Sequence, residues 1–401
     1  MILTEELIAF IRDHRNDNLD RLLLSASKYP GIDMGFVVDQ IIAREKIREK
    51  LPSWGAIERL YFPSRLAAEQ CSSERTAAYK RRLVKATDVV CDLTGGLGVD
   101  SYFLSQEAAK VIYIERFESY CEAARSNFHE LGADNIEVWP GNSAELLSRL
   151  PKVDCFYIDP ARRGEGNKRL FALADCEPDL TSLLPSLWSL APRVIAKISP
   201  MADLRMTLAL LPSTVEIHVL SVRNECKELL FVMERGAESA PFAGDPMIEC
   251  VDFRPDGSAS HFAYRLSEES SAAVVYAPSV DTFLYEPNAS ILKAGAFKRV
   301  AVRFGLNPLQ VNSHLYASAH CQENFPGRVF RVDEVLPFSG KLLKTLKRQI
   351  PKANISTRNF PLSVNELRSR TGIVDGGDIY LFATTLSVGA KVLIRTSKVL
   401  P

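Results

Sequence analysis

Apolar positions along the chain change their spacing twice. Over residues 3–50 they recur at helical intervals, Leu7, Ile8, Phe10, Ile11 and then Leu22, Leu23, Leu24, with charged residues between them. Pro30-Gly31 ends the first pair, and a third helix rich in Ile, Arg and Lys is predicted over residues 33–49. From Thr87 to Arg235 short apolar runs alternate with amphipathic segments. This predicts strands at 88–92, 111–115, 136–139, 153–158, 193–198, 215–221 and 227–234. Helices are predicted over Ser119–Leu131, Ala144–Leu150, Leu180–Leu190 and Ala202–Leu211. That alternation belongs to an α/β fold with a mostly parallel sheet, and the short turn Arg223-Asn224-Glu225 joins the last two strands, so they form its antiparallel hairpin. Ahead of the first strand, Ser72 or Ser73 can cap a helix running to Leu83.

After Gly236 the spacing becomes that of a smaller α+β region. Ile248–Phe253 and Ser260–Arg265 read as strands around the turn Pro255-Asp256-Gly257. A helical run Ile291–Val300 and a strand or helix near His314–Ala319 follow. Two βα units come next, Val329–Leu336 with Ser339–Gln349 and Ile355–Phe360 with Val364–Arg370, before a terminal hairpin of Ile379–Thr385 and Lys391–Thr396. The expected boundaries are a helical module at 1–69, an α/β domain at 70–236, a connecting region at 237–325 and a basic domain at 326–401.

The densest chemical signal is Val89 to Asp100, where a strand ends at Asp92 and a turn with Gly95, Gly96 and Gly98 leads into a helix. Glycines there permit a sharp turn and a close ligand. A dinucleotide loop asks for Gly-x-Gly-x-x-Gly, but the third position here is Ser101. S-adenosylmethionine carries an ammonium and a sulfonium, which Asp92 and Asp100 beside the loop would favour. Three further features follow at strand ends: Glu115, Gly141-Asn142-Ser143 and Asp159-Pro160-Ala161-Arg162. Ligands of open α/β sheets bind along that edge.

The form Asp92-x-Thr94-x-Gly96-Leu97-Gly98-x-Asp100 resembles the first motif of class I S-adenosylmethionine-dependent methyltransferases, with Thr94 where many members have glycine. The loop looks especially like that of the small-subunit ribosomal RNA guanine-N2 methyltransferases, and the wider resemblance to the class I methyltransferase domain covers roughly residues 70–236. The resemblance implies a Rossmann-like seven-stranded sheet and S-adenosylmethionine as cofactor. It places Asp92, Thr94, Gly96, Gly98 and Asp100 at the cofactor, Glu115 on its ribose and Asn142, in place of the usual Asp, on its adenine. Gln70, Ser72, Thr76 and Lys80, on the helix before the first strand, become candidate pocket residues. Asp159 and Pro160 fall where exocyclic-amine methyltransferases hold their acceptor, whereas Ala161 and Arg162 replace a second proline and an aromatic. Arg162 could stack on a base, grip a phosphate or pair with a carboxylate. Asp-Pro-x-Arg is also similar to the uridine C5 methyltransferases, which need a cysteine nucleophile after the fifth strand. Ala196-Lys197-Ile198-Ser199-Pro200 has none, which disfavours C5 chemistry and leaves Lys197 and Ser199 as acceptor-pocket candidates.

The end of the chain resembles the THUMP-like domains of bacterial methyltransferase-like proteins, and the Tyr285-Glu286-Pro287 region resembles the small ferredoxin-like module beside them. Relatives of these domains occur in RNA-modifying enzymes. Charge agrees: the whole chain is neutral, yet residues 326–401 hold 13 Lys plus Arg against 5 Asp plus Glu. Lys341, Lys344, Lys347 and Arg348 gather on one helical stripe, with Arg358, Arg368 and Arg370 added to it, as expected for a polyanion such as RNA.

Composition excludes several classes. No apolar run is long enough to span a bilayer, and Met1–Glu6 does not read as a secretory signal. The eight cysteines are scattered without metal-ligand spacing, so neither disulfides nor structural zinc is expected, as in a reducing cytoplasm. The expected function is a cytoplasmic S-adenosylmethionine-dependent methyltransferase acting on a base nitrogen of ribosomal or transfer RNA. The alternatives are an RNA-binding protein that retains the fold without activity, and a nicotinamide-dependent oxidoreductase opposed by Ser101.

Overall fold

A computed structural model describes residues 3–162, 173, 176–241 and 243–399, the side chain of Arg162 excepted. The chain divides into two compact units, Met1–Val215 with Leu229–Gly244, and Glu216–Glu228 with Asp245–Pro401.

The first unit begins with helices α1 (Glu5–Asp13), α2 (Leu19–Leu24), α3 (Met34–Lys50), α4 (Pro52–Gly55), α5 (Arg65–Gln70) and α6 (Glu74–Lys80). Side-chain oxygens of Thr4, Asn18, Asp33, Ser64 and Ser73 cap five of them, which explains why they start where they do. Ser73 is thus the cap of α6, and Ser72 is left for another task. The N-terminal helices close a core of their own around Ile11, Leu22, Met34, Val37 and Ile41, and the end of α3 joins a second one. Ala43, Ile47, Leu51 and Trp54 pack in one apolar cluster with Leu97, Val99 and Phe103 from beyond the glycine loop.

The α/β part follows as β1 (Val89–Asp92), α7 (Val99–Ser105), β2 (Lys110–Glu115), α8 (Glu118–Glu130), β3 (Ile136–Pro140), α9 (Ser143–Leu146), β4 (Cys155–Ile158), β5 (Ala161–Arg162), β6 (Cys176–Glu177), α10 (Leu180–Leu190), β7 (Arg193–Ile198) and α11 (Leu204–Leu210). β1 pairs in parallel with β2 and β4, β2 with β3, and β4 with β7. Residues buried on both faces, such as Val90, Cys91, Ile112, Tyr113, Phe156 and Val194, explain the near-continuous apolar runs. Strands β8 (Thr214–Val222) and β9 (Glu225–Glu234) then follow, and Leu229–Glu234 runs antiparallel to β7 as the predicted hairpin requires.

In the second unit, β10 (Met247–Phe253) runs parallel to Glu216–Val222 and antiparallel to β11 (Ala259–Arg265). The expected connecting hairpin is therefore paired along Glu216–Val222 and does not stand alone. After α12 (Leu266–Ser271) come β12 (Phe283–Pro287), α13 (Ala289–Ala294), α14 (Phe297–Phe304), β13 (Asn307–Pro308) and β14 (Tyr316–Ser318). The expected single helix Ile291–Val300 is two helices, because Gly295 ends α13 with φ +75°. The ambiguous stretch near His314 is a strand. The chain closes with β15 (Gly327–Pro337), α15 (Gly340–Gln349), β16 (Asn354–Arg358), α16 (Val364–Thr371), β17 (Ile379–Thr385) and β18 (Lys391–Lys398). These strands form a mixed sheet in the order β13-β14-β12-β15-β18-β17-β16, in which β17 and β18 are the terminal hairpin.

Candidate active site

The first unit contains a cavity of about 240 Å³ along the C-terminal ends of β1, β2, β3 and β4. Asp92, Thr94, Gly96, Gly98, Asp100, Glu115, Asn142 and Asp159 all line it. One pocket thus brings together every predicted cofactor residue and the predicted acceptor carboxylate. Pro160 is buried behind Asp159, and the side chain of Arg162 lies outside the described residues.

The glycine loop is folded around its own hydrogen bonds. Thr94 N donates to Asp92 Oδ1 (3.0 Å), Gly95 N to Ile114 O (2.8 Å), Gly96 N to Glu115 Oε2 (2.9 Å) and Gly98 N to Gly95 O (2.8 Å). A Cβ on Gly95 would lie 2.2 Å from the Tyr113 ring, so close packing on β2 dictates glycine there. Because these N–H groups are already engaged, the loop is poorly suited to cradle a pyrophosphate. The charges agree: Glu115, Asp159 and Glu177 face the cavity against Arg116 and Lys197, with Asp92 and Asp100 set in its wall. A cationic ligand is favoured there and a dinucleotide diphosphate is opposed.

Each carboxylate has a distinct local task. Asp92, 1% exposed, accepts from Ser101 Oγ at 2.6 Å, so Ser101 locks the loop to the following helix. Burial pushes the Asp92 carboxyl up to about 7 despite the Ser101 and Thr94 hydrogen bonds. Glu115 accepts from Gly96 N and Phe117 N, both at 2.9 Å, and its remaining lone pairs can take a diol. Asn142 caps α9 by accepting from Ala144 N (3.0 Å), which occupies one lone pair of the amide oxygen expected to meet an adenine amine.

Asp100 differs most from expectation. It accepts from Lys80 Nζ (2.8 Å), Ser72 Oγ (2.8 Å) and Tyr157 Oη (2.8 Å). Burial alone would raise its carboxyl, but Lys80 and Lys197 outweigh this and hold it down at about 2. Its charge is therefore committed inside the wall and is not free to neutralise a ligand cation. Lys80 is fully buried behind the cavity and Thr76 returns its hydroxyl to Ser73 O, so neither lines the pocket, whereas Gln70 and Ser72 do.

On the acceptor side, Asp159 N donates to Thr94 Oγ1 at 2.7 Å, tying the end of β4 to the loop after β1. A glycine at 94 could not make this bond. Asp159 Oδ2 accepts from Lys197 Nζ at 2.5 Å, and Lys197 also reaches Ser72 Oγ at 3.2 Å. Ser199 accepts from Met201 N and does not line the cavity. The cysteine that does line it, Cys71, is pushed up to about 11 by burial, which suppresses the thiolate a covalent mechanism needs.

Sequence reading missed three groups. Tyr157 was absorbed into an apolar strand. Arg116 pairs with Glu177 at 3.0 Å across the cavity rim. Phe117, 52% exposed, lines the cavity with the Arg116 guanidinium 4.8 Å from its ring centre. An exposed aromatic after the Glu115 strand was the available signal.

Lys341, Lys344, Lys347 and Arg348 are exposed on α15, while Leu343 and Leu346 are buried. Arg358 and Arg368 do not extend it freely. Arg358 pairs with buried Glu286 (2.7 Å), and Arg368 donates to Ile373 O and Ala353 O besides pairing with Asp375. All eight cysteines are free, and among the described residues no cluster suits a metal ion and no helix is long and apolar enough to cross a membrane.

Comparison with known proteins gives the pocket a context. A THUMP domain-like family model matches residues 327–398 and a ferredoxin-like domain model matches 283–326. A Clostridium tetani protein named as an uncharacterized RNA methyltransferase is 34% identical over 100 residues, 24% of this chain and 22% of that protein. The Shewanella halifaxensis 23S rRNA (uracil(1939)-C(5))-methyltransferase RlmD is 37% identical over 83 residues, 20% of this chain and 19% of that one. The chain thus spans about a fifth of the length of these curated relatives. The crystal structure of a candidate methyltransferase from Porphyromonas gingivalis W83 is 38% identical, with a TM-score of 0.89 and both chains covered in full. The chain belongs to the family of that protein, and it carries ferredoxin-like and THUMP-like domains besides its methyltransferase fold.

Proposed function

We propose that this protein is an S-adenosylmethionine-dependent methyltransferase that modifies a base nitrogen of ribosomal or transfer RNA. The carrying observation is that Asp92, Glu115, Asn142 and Asp159, from four successive strand ends, line one cavity with an excess of carboxylates. The bound cofactor supplies an electrophilic methyl carbon on a sulfonium. Glu115 would accept the ribose hydroxyls, Asn142 would meet the adenine, and Phe117 offers an apolar face to the base. Asp159 would accept from the acceptor amine and orient its lone pair, since such a displacement needs alignment and exclusion of water above all.

The relatives named for uracil C5 chemistry raise that reaction as a comparison. The protonated Cys71 thiol and the absence of cysteine over Ala196–Pro200 speak against it here. A second reading, an RNA-binding protein that keeps the fold without activity, draws support from Lys197 pairing with Asp159 and from Arg162 in place of an aromatic.

Calorimetry with S-adenosylhomocysteine tests the cofactor. Binding of a nicotinamide dinucleotide with no heat from S-adenosylhomocysteine would overturn the reading. Modified-nucleoside profiles of RNA from cells with and without the gene separate the two surviving readings, and an unchanged profile favours the inactive one.

A further inference from the structure

A second cavity, of about 230 Å³, lies among the N-terminal helices of the first unit. Arg12, Arg15, Arg44 and Arg48 line it against Glu45 and Glu58. Arg12 is matched to Glu58 at 3.2 Å, which leaves three guanidiniums facing Glu45. Arg15 and Arg48 are exposed and have no acidic partner among the described residues.

Arg44 is the informative member. It donates through Nη2 to Glu58 O (2.9 Å) and Leu60 O (2.6 Å), which fixes its guanidinium in place. Its Nε is buried without a hydrogen-bond partner. Burial, with Arg48 one helical turn away adding repulsion, pushes the Arg44 guanidinium down to about 10. A desolvated donor without an acceptor and like charges at i, i+4 are both unfavourable unless an anion enters. Ile8, Ile11 and Ile41 also line the cavity and lower the local dielectric, which strengthens attraction to such an anion. Arginine rather than lysine at all four basic positions suits the bidentate geometry of a phosphate.

We infer that this arginine-lined cavity binds a backbone phosphate of the RNA substrate, providing a contact site separate from both the methyl-transfer pocket and the basic helix α15. The choice of RNA rests on the proposed function; the phosphate chemistry rests on the cavity.

The test compares two double variants of the full chain by fluorescence anisotropy with a fluorescein-labelled RNA stem-loop of mixed sequence. Arg15→Ala with Arg48→Ala removes two unpaired cations from the cavity. Arg21→Ala with Lys46→Ala removes the same charge from exposed positions outside it. The expected result is a loss of about tenfold or more in RNA affinity for the first pair only, with the salt slope reduced by about 0.9 for each phosphate no longer neutralised. Equal losses in both pairs, or none in the first, overturn the inference. Calorimetry with inorganic phosphate forms a further arm: phosphate binding that depends on Arg15 and Arg48 while RNA affinity does not would mean a small-anion site and would also overturn it. Restoring affinity with Arg15→Lys and Arg48→Lys would support charge as the cause. S-adenosylhomocysteine affinity should be unchanged in every variant; failure of the wild type to bind it strikes the proposed function and leaves the cavity result readable.

Discussion

Lys197 Nζ lies 2.5 Å from Asp159 Oδ2 and 3.9 Å from Asp100 Oδ2, so a single ammonium links the acceptor-side carboxylate to the loop carboxylate. Asp159 is therefore held in position by Lys197. The side chain is partly exposed and contributes to the cavity wall, whereas the loop conformation depends on its backbone N–H and not on its carboxylate. Asp159→Ala should abolish methyl transfer to RNA, by about a thousandfold, and leave S-adenosylhomocysteine affinity within about twofold, since the lost group acts on the acceptor. Radiolabelled methyl transfer and calorimetry read the two effects. Parallel loss of both would assign Asp159 to the cofactor.

Lys80 is fully buried, and its partner Asp100 is largely withdrawn from water, 11% exposed where it lines the cavity. Lys80→Met removes the closest cation and leaves the carboxylate to Ser72, Tyr157 and the more distant Lys197. Breaking such a pair costs about 3–5 kcal/mol. Urea denaturation should show that loss, and Lys80→Met with Asp100→Asn should recover a large part of it, because no buried charge is then left without its counter-ion.

Asp92 and Asp100 titrate in opposite directions. From the ordinary aspartate value of 3.8 up to about 7, the folded protein holds a proton on Asp92 that the unfolded chain has released. The contribution of Asp92 to stability is thus fully present below pH ~4 and is lost as pH rises through about 7. Asp100, held at about 2, contributes stability above pH ~4 that is lost as pH falls through about 2, and so stays constant over the window that isolates Asp92. The urea midpoint should fall from pH 5 to pH 8 more steeply in the wild type than in Asp92→Asn. Parallel curves would show that Asp92 is ionised throughout.

Phe117 stands half exposed at the cavity, next to the carboxylate assigned to the ribose. Stacking of a base on an aromatic ring is worth about 1–3 kcal/mol. Phe117→Ala should therefore weaken S-adenosylhomocysteine binding by about tenfold or more in calorimetry, with little effect on thermal stability because the ring is not part of the core. Unchanged affinity would move the adenine elsewhere.

The strand-end residues were legible because a βα repeat fixes where each strand stops, and an acid or amide at that position faces the sheet edge. Asp92, Glu115, Asn142 and Asp159 needed nothing more. The Lys80–Asp100–Tyr157 cluster left no comparable trace. Its members are 20 and 57 residues apart, Lys80 reads as the basic end of an ordinary helix, and Tyr157 completes an apolar strand. Arg358 shows the reverse failure. Its charge was counted correctly, yet pairing with Glu286, 72 residues earlier, is a tertiary fact that charge counting cannot register. The split of one predicted helix into α13 and α14 turned on Gly295 adopting a left-handed conformation, which local periodicity does not reveal.

The two groups of basic residues in the THUMP-like domain should consequently separate in experiment. Lys341, Lys344, Lys347 and Arg348 lie exposed along α15, where their removal disturbs no buried contact. Replacing all four by Ala should weaken RNA binding and reduce the salt slope by about 0.7–0.9 for each phosphate left unneutralised, with melting temperature unchanged. Arg358 instead shares the carboxylate of Glu286, 3% exposed, with Arg328. Arg358→Ala should cost stability, about 1.5–3 kcal/mol for hydrogen bonds to a buried charge, and leave the salt slope nearly intact. Anisotropy titrations at several salt concentrations, paired with thermal melts, distinguish these outcomes. A salt slope that drops for Arg358→Ala but not for the α15 variant would place the RNA path across β16, at the position of Arg358, and not along the helix.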